Sequence, residues 1–230
     1  METTVIAIDG YASTGKSTLS KRLATYLGFT YVDTGYMFRV ISFLVIQNNW
    51  LDKKGIDLAL LTQALPELQF SWESQSNGEK LMAVNGKVYG EELRSAEVSN
   101  LVSQVAAIPA VRTHLLNQQR ALSKAASVVM DGRDIGTVVF PNAQHKFFLN
   151  ATPAIRAQRR FEEMQAKGIL GTYEEVLANV IERDRLDSSR AIAPLKKAQD
   201  AIEIDTSSHN VEEVFTLLCH HLGKGGLGQL

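Results

Sequence analysis

Short apolar runs ending on aspartate or glycine recur along the chain, with longer amphipathic stretches between them. Thr4-Val5-Ile6-Ala7-Ile8 is rich in β-branched residues and stops at Asp9-Gly10, which predicts a buried strand. From Gly15 the period changes: Leu19, Leu23, Ala24 and Leu27 share one helical face, and Gly28 ends the helix. Residues 29–32 predict a second strand, closed by Asp33-Thr34-Gly35, and residues 36–50 a strongly apolar helix. Residues 68–72 alternate, and the pairs Asn77-Gly78 and Asn85-Gly86 flank strand-like runs, so small antiparallel hairpins are expected between residues 66 and 94. Residues 95–107 and 111–125 predict helices with Pro109 breaking the chain between them. Buried strands follow at residues 127–130, 146–149 and 201–205. Thr152-Pro153 opens a helix that runs to about residue 167, a further helix covers about 173–186, and the last covers 211–222. Residues 223–230 carry four glycines and read as a disordered tail. Five apolar strands separated by helices predict an α/β fold with a parallel sheet, whose ligands gather beyond the carboxyl ends of the strands.

Composition removes several classes. Of the 230 residues, 45% are hydrophobic and 21% charged, ordinary for a globular chain and excluding collagen, coiled coil and wholesale disorder. Lys+Arg number 24 against 25 Asp+Glu, a net charge of −1, so no nucleic-acid partner is expected, while local basic clusters stay open. A single cysteine, Cys219, allows no intrachain disulfide and reads as a small core residue of the last helix. The start is acidic and polar, and the longest apolar stretch, residues 40–46, is too short for a bilayer, so a cytoplasmic chain without a membrane partner is expected.

The chemistry begins at Gly10-Tyr11-Ala12-Ser13-Thr14-Gly15-Lys16-Ser17, which fits G-x-x-x-x-G-K-[ST] between a strand and a helix. A backbone that wraps a polyphosphate needs glycine where side chains would collide. The helix start adds partial positive charge, Lys16 can reach terminal phosphates, and the Ser17 hydroxyl can ligate Mg²⁺. Asp131 closes an apolar strand and is placed either beside that Mg²⁺ or as a turn cap. Arg156, Arg159 and Arg160 share a helical face, and Arg183, Arg185, Arg190, Arg133 and Arg39 fall near the same cleft. Their guanidinium forks suit phosphate oxygens, although any one of them could be solvated helix surface. The five histidines show no ligand spacing.

Beyond these features, Asp33-Thr34-Gly35 with Arg39, Ser103 to Ala107, Asp131 to Pro141, Glu182-Arg183-Asp184, and Asp187 with Arg190 to Leu195 together resemble the bacterial cytidylate kinases over about residues 4–222. The resemblance implies a P-loop NTPase fold: a five-stranded parallel sheet flanked by helices, an inserted β-containing CMP-binding region and a helical lid. It implies a single unit with core segments 1–65, 110–154 and 186–222, the insertion at about 66–109 and the lid at about 155–185. The implied reaction transfers the γ-phosphate of ATP to CMP or dCMP, with Mg²⁺ as cofactor, in pyrimidine nucleotide metabolism. Carried over by position, Gly10, Tyr11, Ala12, Ser13, Thr14, Gly15, Lys16, Ser17 and Thr18 hold ATP phosphates. Arg39, Arg133 and Arg190 grip the CMP phosphate near Thr34, Arg183 and Asp187 meet the sugar, and Ser103, Arg112 and Asp134 read cytosine. Lys16, Arg133, Arg159 and Arg160 are the implied catalytic cations, the last two on the lid, and Ser17 and Asp131 the metal-side ligands. Thr34 stands where the family often has serine and Phe38 where it often has tyrosine.

Two other classes stay open at this level. One is a different small P-loop kinase, such as a shikimate or dephospho-coenzyme A kinase. The other is a nucleotide-switched binding protein, which would carry an N-K-x-D guanine motif that this chain lacks. A monomer is expected, with small nucleotides as its partners.

Overall fold

The computed structural model describes residues 3–74, 80–124 and 126–223. In chain order its elements are β1 (Val5–Gly10), α1 (Lys16–Leu27), β2 (Thr30–Asp33), α2 (Thr34–Gln47), β3 (Leu51–Asp52), β4 (Gly55–Ile56), α3 (Leu58–Ala64), β5 (Phe70–Ser74), β6 (Lys80–Val84), α4 (Ala96–Val105), α5 (Pro109–Leu122), β7 (Val128–Gly132), β8 (His145–Asn150), α6 (Pro153–Ala166), α7 (Tyr173–Ser189), β9 (Ile202–Asp205) and α8 (Val211–His221). A five-stranded sheet runs in the order β2-β7-β1-β8-β9, with β1 parallel to both β7 and β8 and β8 parallel to β9. The chain leaves β1 toward one side of the sheet and later returns to the other, so the loop after β1 lies at the switch point where such folds bind ligands.

By internal contacts the chain divides into two units: Met1–Tyr31 with Ala126–Leu230, and Val32–Ala125. In the first, every residue of β1 and β7 is buried, as expected for strands covered on both faces. Ile6, Ile8, Leu19, Leu23, Phe147, Leu149, Phe215 and Leu218 share one core with Cys219, which is free and buried. Gly28, at φ 67°, ends α1 in the left-handed cap that glycine adopts without strain. Helices α7 and α8 both open with a capping box, Thr172 with Glu175 and Asn210 with Glu213. Helices α6 and α7 pack through a small apolar cluster of their own, Ala157, Val176 and Val180 with Phe161 and Tyr173. Helix α7 continues unbroken through Leu186 to Ser189, carrying Arg183 and Asp187 on one rigid element.

In the second unit, Asp33 caps α2 by accepting from Tyr36 N at 2.9 Å, and Ser95 caps α4. Pro109 stands at the first position of α5, where its missing N–H is harmless. Strands β5 and β6 form the expected antiparallel hairpin, while its Asn77-Gly78 turn lies outside the described residues, as does the tail from residue 224. The second expected hairpin is corrected. Asn85 and Gly86 do take positive φ (50° and 76°), but the turn closes only one bridge, Val84 with Lys87. The backbone of Tyr89 is committed elsewhere: its N–H donates to Tyr36 Oη at 3.0 Å, and its ring meets Phe43 edge-on at 5.6 Å. The β3–β4 hairpin and α3, capped by Asp57 on the amides of Ala59 and Leu60, were not anticipated, because two-residue strands carry no period to read.

Candidate active site

The phosphate loop joins β1 to α1 under tight constraint. A side chain at Gly10 would place its first carbon 2.0 Å from the Leu149 carbonyl oxygen, so the crossing of β1 and β8 admits only glycine there. Gly15 takes φ 85° as the cap of α1, with no side-chain cap and no acidic residue in the first turn, which leaves the amides and positive pole of the helix to an anion. Ser13 also holds positive φ, 58°, a position where glycine would sit without strain. The Lys16 ammonium is buried and donates to the Tyr11 carbonyl and, at 3.4 Å, to Thr14 Oγ1. Burial and the neighbouring Arg133 and Arg183 push its pKa well below the usual lysine range, against the pull of Asp131 and Asp9.

Around this loop stand the groups from the other strand ends. Ser17 Oγ donates to Asp131 Oδ2 at 2.8 Å, and Tyr31 Oη donates to Asp131 Oδ1 at 3.2 Å, so Asp131 faces the loop. Asp9 is buried; its carboxyl is pushed up to about 7 by burial, against the amides of Gly136 and Ile135 that hydrogen-bond it. Arg133 Nε donates to Asp187 Oδ2 at 3.0 Å, and Arg190 Nε to the Asp187 carbonyl at 3.2 Å. Burial would raise the Asp187 carboxyl, but Arg133, Arg190 and Arg183 together hold it below the usual carboxylate range.

Helices α6 and α7 are tied to the loop. Arg159 donates to Thr206 O at 2.6 Å and Thr206 Oγ1 at 3.1 Å, and that hydroxyl donates to Thr14 O at 3.3 Å. Arg160 beside it is half-buried. Arg156 is 1% exposed and pairs with both carboxylate oxygens of Asp184, at 3.0 and 2.5 Å. It also donates to Ala151 O at 2.8 Å and lies 4.9 Å over the Tyr11 ring. Alongside is a cleft of about 470 Å³ lined by Tyr11, Asn150, Thr152, Arg156, Ser188 and Asp205 among others.

The second unit gathers its candidates around the start of α2. Arg39 Nη2 donates to Asp33 Oδ2 at 2.7 Å, and Thr34 is buried in the first turn. A methyl at Gly35 would lie 3.0 Å from Arg39 Nη1, so the small residue lets the guanidinium lie along the helix. Arg112 Nη1 donates to Ala106 O at 3.1 Å, and its guanidinium carbon lies 5.6 Å from the centroid of the Phe38 ring. Ser103 is buried on α4, which packs against α2.

A family model described as cytidylate kinase matches residues 6–223. The chain belongs to the cytidylate kinase family. A cytidylate kinase of Flavobacterium johnsoniae is 48% identical over 216 residues, 94% of each chain. One of Phocaeicola vulgatus is 44% identical over 214 residues, 93% of each. The solved structure of an uncharacterized protein from Eubacterium ventriosum superposes with a TM-score of 0.50 at 14% identity, covering 96% of this chain and 99% of that one, a likeness of fold alone.

Within the first unit, Lys16 of the phosphate loop, Asp131, Arg133, Arg183, Asp187 and Arg190 lie in one electrostatic network. Two buried charged groups went unassigned. Asp9 precedes the motif, and its partners are backbone amides 126 and 127 residues away. Arg156 stood out only by its spacing to Arg159 and Arg160, while its partner Asp184 lies inside the Glu182-Arg183-Asp184 run. Among the described residues no cluster of three or more His, Cys, Asp or Glu side chains is arranged to hold a metal. No described helix is long and apolar enough to cross a membrane.

Proposed function

We propose that the chain transfers the γ-phosphoryl group of Mg·ATP to CMP or dCMP, giving CDP or dCDP and ADP, and acts as a monomer in the cytoplasm. One observation carries the reading: Lys16, Arg133, Arg183 and Arg190 share one electrostatic network beside a phosphate loop with an uncapped helix start. An acceptor phosphate oxygen is already deprotonated at neutral pH and attacks the γ-phosphorus as its bond to the bridging oxygen breaks, so no side-chain nucleophile is required. What the protein supplies is position and positive charge.

The loop from Gly10 to Thr18 holds the ATP phosphates, and the cleft beside Tyr11 and Arg156 has the volume for the donor's nucleoside. Ser17 and Asp131 offer hard oxygens on one spot, the donor type and number that Mg²⁺ takes from protein in phosphate sites. The ion, bound with ATP, supplies charge neutralisation of the transferring group. Lys16, Arg133, Arg159 and Arg160 stabilise that group. By motif position, Arg39, Arg190 and Thr34 take the acceptor phosphate, and Arg183 with Asp187 the sugar. The lid spans about 155–185 and the acceptor region about 66–109.

Base choice follows from hydrogen-bond polarity. Cytosine shows an amino donor and a ring acceptor where uracil shows the reverse. A carboxylate such as Asp134 only accepts, a guanidinium such as Arg112 only donates, and Ser103 does either. Coupled ADP release measured with CMP, dCMP, UMP, AMP and shikimate tests the whole reading. Turnover confined to CMP and dCMP is expected, and turnover with shikimate or with no acceptor would overturn it.

A further inference from the structure

Asp9 is the last side chain before the phosphate loop, and the loop motif does not require it. Its carboxylate is 4% exposed. Oδ1 accepts from Ile135 N at 2.8 Å and Oδ2 from Gly136 N at 2.7 Å. These two amides open the single π turn Ile135–Val139, whose wide hydrogen bonds run from Val139 N to Asp134 O and from Phe140 N to Ile135 O. The first amides of any helical turn have no partner within it. Asp134 occupies the capping position, yet its side chain makes no capping bond. A carboxylate from β1 caps the turn in its place. The fit is close on both sides: a methyl at Gly136 would lie 3.4 Å from Asp9 Oδ2 and 3.2 Å from Lys146 Cδ. The Lys146 ammonium is itself pinned by both carboxylate oxygens of Asp200, at 2.9 and 2.7 Å. The backbone from Asp134 to Gly136 is thus clamped between the root of the phosphate loop and a buried lysine stem.

We propose that Asp9 is a positioning residue for base selection: by capping the Ile135–Val139 turn from β1, it sets the backbone that aims Asp134. The inference rests on the reading of Asp134 as the acceptor for the cytosine amino group. Asn at position 9 keeps the shape but presents one oxygen and one NH₂, so one buried amide faces a donor.

The test compares wild type with Asp9→Asn, Asp134→Ala and the double variant, each by steady-state kinetics with CMP, UMP and ATP. For Asp9→Asn the KM for CMP should rise and the CMP/UMP ratio of kcat/KM should narrow about tenfold, the size of one buried hydrogen bond, with the KM for ATP within about twofold. In the double variant the ratio should narrow no further than in Asp134→Ala, because both changes act through one carboxylate. If Asp9→Asn does not fold, Gly136→Ala presses on the same contact and is read the same way. A lower melting temperature with an unchanged ratio would make Asp9 structural and overturn the proposal, as would narrowing that adds fully in the double variant. An unchanged ratio in Asp134→Ala would instead overturn the base assignment itself.

Discussion

The two units handle charge differently. In the phosphate-loop unit the cations and carboxylates are buried and interlocked: Lys16 is 5% exposed, Arg156 1%, and Asp187 answers to three arginines. In the other unit the ion pair of Arg39 with Asp33 leaves 28% and 25% of its side chains exposed, and Arg112 lies over an aromatic face and donates to the Ala106 carbonyl. Burial lowers the local dielectric and makes each charge both stronger and costlier to leave alone. The first arrangement therefore suits charge that must be fixed before a phosphate arrives. The second suits groups that take shape around a ligand at little cost to the fold.

The sharpest way to break this contrast is at Lys16. Its hydrogen bonds end on its own loop, at Tyr11 and Thr14. Lys16→Ala should lower kcat by about 10²–10³-fold, the scale for removing one preset electrostatic group, while the melting temperature stays near that of wild type. Coupled ADP release and a thermal melt on the same preparation check both halves. A near-normal turnover number would show that the loop's amides suffice.

Ion pairs give the next largest effect and a direct ranking. Asp184→Ala leaves the Arg156 guanidinium buried with only carbonyl partners, Ala151 at 2.8 Å and Ala12 at 3.5 Å, and should cost about 2–4 kcal/mol by urea denaturation. Arg39→Ala in the other unit should cost under about 1 kcal/mol, because its pair is partly solvated. Glu182→Ala, which removes an exposed i, i+3 partner of Arg185, should leave the midpoint unmoved. Equal costs for the first two would erase the distinction between the units.

The same contrast explains what the chain order revealed. The phosphate loop was legible because a polyphosphate imposes glycines at fixed intervals, and the five strands because burial on both faces demands unbroken β-branched runs. Arg133 and Arg183 stood out among the arginines near the cleft, but Asp187 needed the resemblance to a known family, since no spacing rule places residues 54 apart side by side. Asp9 and the Arg156–Asp184 pair escaped assignment. Their partners are backbone amides and a carboxylate on another helix, contacts that exist only once the sheet and the helix pair have formed. The β3–β4 hairpin and the lost second hairpin failed for a local reason, strands too short for alternation to register.

A pH series sharpens the buried side of the comparison. Asp9, raised to about 7, binds its proton more tightly folded than unfolded. Its contribution is full below the ordinary value of 3.8 and is lost as pH rises toward 7. Asp187, held low, behaves oppositely: its contribution is present above 3.8 and is lost as pH falls through the folded value. Urea midpoints should therefore fall less from about pH 4 to pH 7 in Asp9→Asn than in wild type. Parallel slopes would assign that titration to another group.

The smallest effect belongs to the exposed side. Both units set an arginine over a ring: Arg156 over Tyr11, where Asp184 and the carbonyls of Ala151 and Ala12 also hold it, and Arg112 over Phe38, where it also donates to the Ala106 carbonyl. Phe38 is 9% exposed, so a leucine there remains buried and apolar while the ring face is gone. A cation–π contact of this kind is worth about 0.5–1 kcal/mol, which converts to a rise of about two- to fivefold in the KM for CMP, with kcat and the KM for ATP unchanged. Phe38→Tyr keeps the face and should leave the KM for CMP within error. If Phe38→Leu left that KM unchanged, the ring would not orient the guanidinium and would serve only the packing of α2. If Phe38→Tyr lowered the KM severalfold, the missing hydroxyl would itself be a ligand contact, and the second unit would carry one more polar group than its present geometry assigns.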